Sequence, residues 1–345
     1  MKKFLIPLFA VAIVATGCSK SGKNTVPDGP QPIKLGAGVK TRTSVESDGS
    51  GVITSPTSLT GVGFLRADNR TAADWKTAAI VDQTTASAGT GPGRIAATLT
   101  AASGNNTVTF APLQYYHGAP TMNAYLRGYH PNSAELTKNA SEFVEAKWVI
   151  DGKMDVMLSD YVSGNKATPG AAAIPVSFEH VLSKLTIKVV AENDGAKASW
   201  GDVTSMTIKG VPTNIVAVFD GEVADQYKAT ALTTPTADIA VWGYDAATKS
   251  TTDAAPDQLP LPVGGESDAL IFGQTMVYPA ASYMITVNTV NHAGGTDSTT
   301  IPIDNEAQPG MNHVITLTFK ASGITATATV QGWQDSNDGG SGSIQ

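Results

Sequence analysis

Along most of this chain, apolar and polar residues alternate one for one. In the run HVITLTF at 313–319, Ile315, Leu317 and Phe319 fall on one side while Thr316 and Thr318 fall on the other. Leu185, Ile187 and Val189 alternate in the same way with Thr186 and Lys188. A period of two puts one face of an extended strand in a core and the other in water. The pattern predicts strands at 33–41, 61–65, 106–110, 125–129, 147–150, 185–190, 205–208, 282–290, 313–319 and 324–330. No long segment carries apolar residues at helical spacing. Many short strands between turn signals predict an all-β protein built from sandwiches rather than a parallel sheet with crossover helices.

The N-terminus breaks this pattern. Lys2 and Lys3 precede an unbroken apolar run at 4–14, followed by ATGC at 15–18, which ends in the single cysteine of the chain. A charged start and an apolar run of this length read as a signal peptide at 1–17; the run is shorter than the roughly 20 residues a bilayer span needs. The ATGC tetrad resembles a bacterial lipobox, with Ala15 where that pattern prefers leucine. The resemblance implies that Cys18 is acylated on sulfur, becomes the first mature residue and holds the protein at the outer membrane. A lone cysteine has no internal disulfide partner. Residues 18–32, rich in Gly, Pro, Lys and Ser, read as a flexible tether.

The remaining chain, roughly 300 residues, exceeds what one core usually organises, so two domains are expected. The stretch at 167–173, with Pro169, Gly170 and three alanines, lacks alternation and is the expected junction. This gives an N-terminal β-sandwich at 33–173, a C-terminal one at 174–333 and a flexible tail at 334–345. Charged residues make up only 15% of the chain and the net charge is −7, without a basic patch, which argues against nucleic acid as a partner.

Reactive constellations are sparse. His117, His130, His180, His292 and His313 stand far apart at no metal-ligand spacing, so no metal or other cofactor is expected. The glycine cluster GTGPG at 89–93 lacks the Lys-Ser/Thr of a phosphate loop, and Pro92 removes a backbone donor. No serine lies in Gly-x-Ser-x-Gly. Asp151 and Asp155 flank Gly152 and read as a turn rather than a catalytic carboxylate pair. His180 reads as a packing or hydrogen-bonding residue at the junction. Tyr115, Tyr116, Tyr125 and Tyr129 read as cross-strand packing residues, with a carbohydrate-binding face as the alternative. Enzyme function is not expected.

Several blocks occur in a suggestive order: an early strand followed by Arg42, GVGF at 61–64, YLRGYHP at 125–131, DGKMD at 151–155, FEHVLSKL at 178–185 and the late Trp333. Together with the lipobox they resemble the fimbrillin family of Gram-negative pilus subunits. The resemblance implies two transthyretin-like (Greek-key) β-sandwich domains in tandem, export as a lipoprotein, proteolytic removal of the first strand, and assembly with other pilus subunits by strand exchange at the cell surface. In that setting Ile33, Leu35, Ala37 and Val39, which project to one side of the first strand, form a removable plug. Arg42, in the Ser-, Gly- and acid-rich stretch at 41–51, becomes the site for a maturation protease. The tail after Trp333 holds Ile344 as its one sizeable apolar residue and is poorly suited to fill a groove, which leaves tip, adaptor and accessory roles open. The alternating strand at 324–330 is expected in the C-terminal domain's own sheet. The alternative function is a monomeric surface lipoprotein that binds a glycan or host ligand.

Overall fold

The computed structural model describes residues 29–39, 58–76, 95–100, 107–167, 173–220, 229–232, 235–245, 250–251, 256–291, 297–302 and 309–332. The first half forms β1 (Leu35–Val39), β2 (Ser58–Asn69), β3 (Ile95–Thr100), β4 (Thr107–Ala111), β5 (Asn123–His130), β6 (Glu135–Lys138), β7 (Val144–Val149), β8 (Met157–Asn165) and β9 (Ile174–His180). After it come β10 (Ser183–Ala191), the helix α1 (Asp194–Trp200), β11 (Val203–Pro212), β12 (Asn214–Phe219), β13 (Thr230–Ala231), β14 (Thr236–Ala240), β15 (Trp242–Asp245) and β16 (Ser250–Thr251). The last strands are β17 (Leu270–Val277), β18 (Ser282–Thr289), β19 (Asp297–Pro302), β20 (Met311–Lys320) and β21 (Gly323–Gly332). The protein is all-β, as the alternation predicts, and each expected strand segment overlaps an observed strand.

These strands form four sheets. One closes on itself in the order β1-β4-β3-β2-β5-β8-β9; the others run β13-β12-β7-β6, β16-β15-β17-β10-β20-β21 and β14-β11-β18-β19. Where alternation alone suggests open sandwich sheets, the first sheet is a barrel, because β1 pairs with β4 on one side and β9 on the other. Its interior is a small aromatic and aliphatic core in which Phe64 meets Phe110 edge-on at 5.3 Å and Phe178 at 6.0 Å. Gly128 makes room for this cluster: a Cβ there would lie 2.4 Å from the Phe178 ring.

The barrel wall also faces outward. Along β2, Val62 and Phe64 turn into the barrel, whereas Leu65 and Ala67 join a larger core that runs through Tyr129, Trp148, Leu185 and Ile187 to Leu317 and Phe319. β10 is buried along nearly its whole length, as befits a central strand lying antiparallel to β17 and parallel to β20. The helix α1 is capped by Asn193, whose Oδ1 accepts from Ala196 N at 2.9 Å, and it buries Trp200 against Phe319.

The two halves of the chain interlock on either side of the stretch at 167–173. β9 completes the barrel, and β12 pairs antiparallel with β7, so residues from both halves share one sheet. The loop at 151–155 ties them further. Asp151 Oδ1 accepts from Lys153 N and Met154 N, and Gly152 O accepts from Met276 N at 2.7 Å. Gly152 has φ of 93°, and a Cβ there would fall 2.5 Å from both Ile239 and Thr275, so glycine is required twice over. At the same corner Asp155, buried, sits 2.9 Å from Nδ1 of His180, also buried.

Candidate functional site

The barrel's closing strand is the first of the described strands. Ile33 and Leu35 are 5% and 1% exposed and belong to the barrel core, while Lys34 between them points to solvent. That is the alternation expected of a strand with one face in a core. Burying two such aliphatic side chains is worth about 3–6 kcal/mol before ordering entropy is subtracted. Ala37 and Val39 are described by their backbone register alone, opposite Val176 and Phe178.

The backbone is paired on both sides. Towards β9 the strand runs parallel from Leu35↔Ile174 to Val39↔Phe178, with Ile174 N donating to Lys34 O at 3.0 Å. Towards β4 the antiparallel register covers Leu35↔Val108 and Gly36↔Thr107. Contact begins before the strand itself: Tyr116 N donates to Gln31 O at 2.9 Å, and Ile33 N donates to Gln114 O at 2.8 Å. Backbone pairing therefore includes Gln31, inside the stretch that composition marks as tether.

The residues that receive this lead-in are themselves held in place. Arg66 donates through Nη1 to Gln114 Oε1 at 3.2 Å and pairs with Asp68 through Nε at 2.8 Å, and Gln114 Nε2 donates to Pro112 O. Burial raises the pKa of the neighbouring Tyr116 phenol, an effect that the Arg66 charge partly offsets. Arg66 and Gln114 are 5% and 2% exposed. Reading the sequence for reactive groups misses this clamp. The available signal is an arginine at an inward position of β2, in step with Val62 and Phe64.

Removing β1 from this arrangement leaves the order β4-β3-β2-β5-β8-β9, a sheet with two free edges and an apolar slot between them. Phe64, Val108, Phe110, Val176 and Phe178 belong to the core that this slot would open.

Cys18, Arg42 and Trp333 lie outside the described residues. The four tyrosines do not share a face: Tyr129 is fully buried over Gly63, Tyr116 and Tyr125 pack against the two cores, and Tyr115 is 43% exposed. Among the described residues, no group of three or more His, Cys, Asp or Glu side chains is placed to hold a metal ion. A cavity of about 390 Å³ on the outer side of β7 and β12 is lined by Glu135, Lys147, Val149, Asn214, Val216 and Leu232, among others.

A candidate cell adhesion protein from Bacteroides uniformis ATCC 8492 superposes with a TM-score of 0.52 at 16% identity, covering 89% of this chain and 98% of its own. At that identity the likeness speaks for the fold. A fimbrial protein from Bacteroides vulgatus ATCC 8482 aligns over 87% of this chain and 99% of its own, at 12% identity and a TM-score of 0.45. The tip fimbrial protein Mfa3 from Porphyromonas gingivalis aligns over 89% and 100%, at 8% identity and a TM-score of 0.38. No curated protein sequence matches this chain. The sequence profile of the fimbrillin-like family matches residues 66–333, spanning most of the barrel and all the later sheets, and the chain belongs to that family.

Proposed function

We propose that this protein is a cell-surface fimbrial or adhesion subunit that accepts a β-strand from a neighbouring subunit in the slot now filled by β1. The observation that carries the reading is the position of β1. It is the first described strand, with Ile33 and Leu35 in the barrel core, and it joins β4 to β9. A donor strand entering there would regain two ladders of backbone hydrogen bonds and an apolar core face, the usual chemistry of β-strand addition.

In this reading residues 1–17 direct export, Cys18 is acylated and tethers the chain to the outer membrane through residues 18–32, and a protease cuts after Arg42 to free the plug. In the same reading the chain comprises two transthyretin-like sandwich units, 33–173 and 174–333, that interlock through β9 and β12, with 334–345 as a tail. The partners are other pilus subunits, the maturation protease and the membrane. β21 is held by β20 over its full length in the second unit's own sheet, which supports an accepting role ahead of a donating one.

The test is N-terminal sequencing of surface-extracted protein, wild type against Arg42→Ala. The wild-type chain in high-mass, heat-labile assemblies is expected to begin at Thr43, and the Arg42→Ala chain to remain monomeric in the membrane fraction. Assemblies made of chains that still begin at Cys18 would refute the reading.

A further inference from the structure

The lead-in to β1 fixes where the preceding chain leaves the fold. Tyr116 N donates to Gln31 O, Ile33 N donates to Gln114 O, and between these two bonds Pro32 lies opposite Tyr115. Gly29 and Pro30, which come just before this pairing, are exposed. The chain towards Cys18 therefore departs beside the segment at 113–116. Gly29 stands eleven residues after Cys18, a path of at most about 40 Å when fully extended.

That segment turns an apolar side to solvent. Leu113 is 60% exposed and Tyr115 43%, whereas Gln114 between them is buried. Alternate residues of an extended stretch share a side, so Leu113 and Tyr115 point outward together. Pro32, opposite Tyr115, is exposed as well, and so is Lys34. No Asp, Glu, Lys or Arg occurs from Thr107 to Leu126, so in a chain of net charge −7 this segment brings no carboxylate to a surface it meets. An aliphatic residue, a tyrosine and a lysine on its long stem suit a membrane–water boundary, where apolar bodies enter the headgroup region and polar tips stay wet.

We propose that the face made by Leu113, Tyr115, Pro32 and Lys34 rests on the lipid surface to which Cys18 ties the unprocessed chain. The inference builds on the reading of Cys18 as a lipid anchor. What selects lipid as the occupant is the route of the chain: the path from the anchor enters the fold at this face, so the patch is held within about 40 Å of the bilayer before any contact forms. A short tether of this kind raises the local concentration to the millimolar range. Seating Leu113 and Tyr115, both already partly covered, then favours the docked over the free state by about 30-fold.

The test supplies the anchor chemically, so it does not depend on acylation in the cell. The chain beginning at Cys18 is coupled through that single thiol to maleimide-bearing phosphatidylethanolamine in vesicles of brominated phosphatidylcholine, with unbrominated vesicles as reference. Leu113→Trp is the reporter, and Met284→Trp, at a position 48% exposed on β18 in another sheet, is the control. The emission that Leu113→Trp adds to the wild-type background is expected to be mostly quenched by bromine, and that of Met284→Trp to be preserved. Adding Tyr115→Glu to the reporter should lower the docked-to-free ratio about tenfold or more, read as recovered emission. Unchanged circular dichroism serves as the folding control. Equal quenching at both positions, no quenching at Leu113→Trp, or quenching that survives Tyr115→Glu would each overturn the proposal. So would an untethered chain that forms a sedimenting dimer lost in Tyr115→Glu, since the face would then pair copies of the protein. The mass of the N-terminal peptide of cell-derived protein reads acylation separately: an unmodified Cys18 there would sink the anchor reading, whereas the vesicle result bears on the face alone.

Discussion

Replacing Leu35 with alanine is expected to unseat the plug while leaving the rest of the protein folded. Leu35 is 1% exposed and belongs to the barrel core with Phe64, Val108, Phe110 and Phe178. A leucine-to-alanine change at such a site costs about 2–5 kcal/mol through lost transfer energy plus a residual cavity. At a strand near the end of the folded chain, where neighbours can relax, we take about 3 kcal/mol. Because each 1.4 kcal/mol is a factor of ten, the population with β1 detached rises about 100-fold. Hydrogen exchange reads this directly. Amides of β9 and β4, including the Ile174 amide bonded to Lys34 O, should exchange about 100-fold faster in Leu35→Ala. Amides of β11 and β18, which pair with each other in a different sheet, should not change. Lys34→Ala, at the exposed neighbouring position, should behave as wild type. Uniform acceleration in all four strands would mean that β1 is an integral part of one cooperative unit. No acceleration in β9 and β4 would mean that Leu35 contributes little to holding the strand. Either result would refute the reasoning.

Gly128→Ala puts a methyl group 2.4 Å from the Phe178 ring inside the barrel and should lower stability by about 1–3 kcal/mol, read from the denaturant midpoint. His313 faces the core from β20, and burial lowers its pKa from the ordinary value near 6.5. The unfolded chain then takes up a proton more readily than the folded one, so the contribution of His313 is complete above about pH 6.5 and declines below it, by at most about 1.4 kcal/mol per pH unit. Urea midpoints at pH 7.5 and pH 5.5 should differ less in His313→Phe than in the wild type.

The sequence was readable where one strand face is wet. At 313–319 and 185–190 the alternation is clean, and the strands lie where it places them. It was harder to read where both faces are covered or the element is short. β17, LIFGQTMV, is buried on both faces over most of its length and does not alternate. Its Gly273 is set by a close approach, since a Cβ there would lie 2.2 Å from Trp242 O. The seven residues of α1 are too few to show a helical period, so Asn193 at its cap was the one local cue. For the site itself, Ile33 and Leu35 declare an apolar face, but no local pattern reveals which strands receive it. β4 and β9 lie about 70 and 140 residues further along the chain, and one of the two pairings is parallel.

A strand can be given up only if the fold survives without it, and the division of the core decides this. Ile33 and Leu35 contact the smaller core, inside the barrel, and neither reaches the larger one. The larger core takes Leu65, Ala67, Tyr129 and Leu158 from the outward faces of β2, β5 and β8, and packs them with Trp148, Phe219 and the sandwich beyond. Loss of β1 therefore uncovers one face of three wall strands whose other face stays buried. Those three strands are held from behind, whereas β4 and β9, which flank the slot, place Val108, Phe110, Val176 and Phe178 in the smaller core alone. In the proposed assembly the back of the slot is therefore braced by a barrel wall shared by two separate cores, while its rims are held through the smaller core and their ladders to β3 and β8.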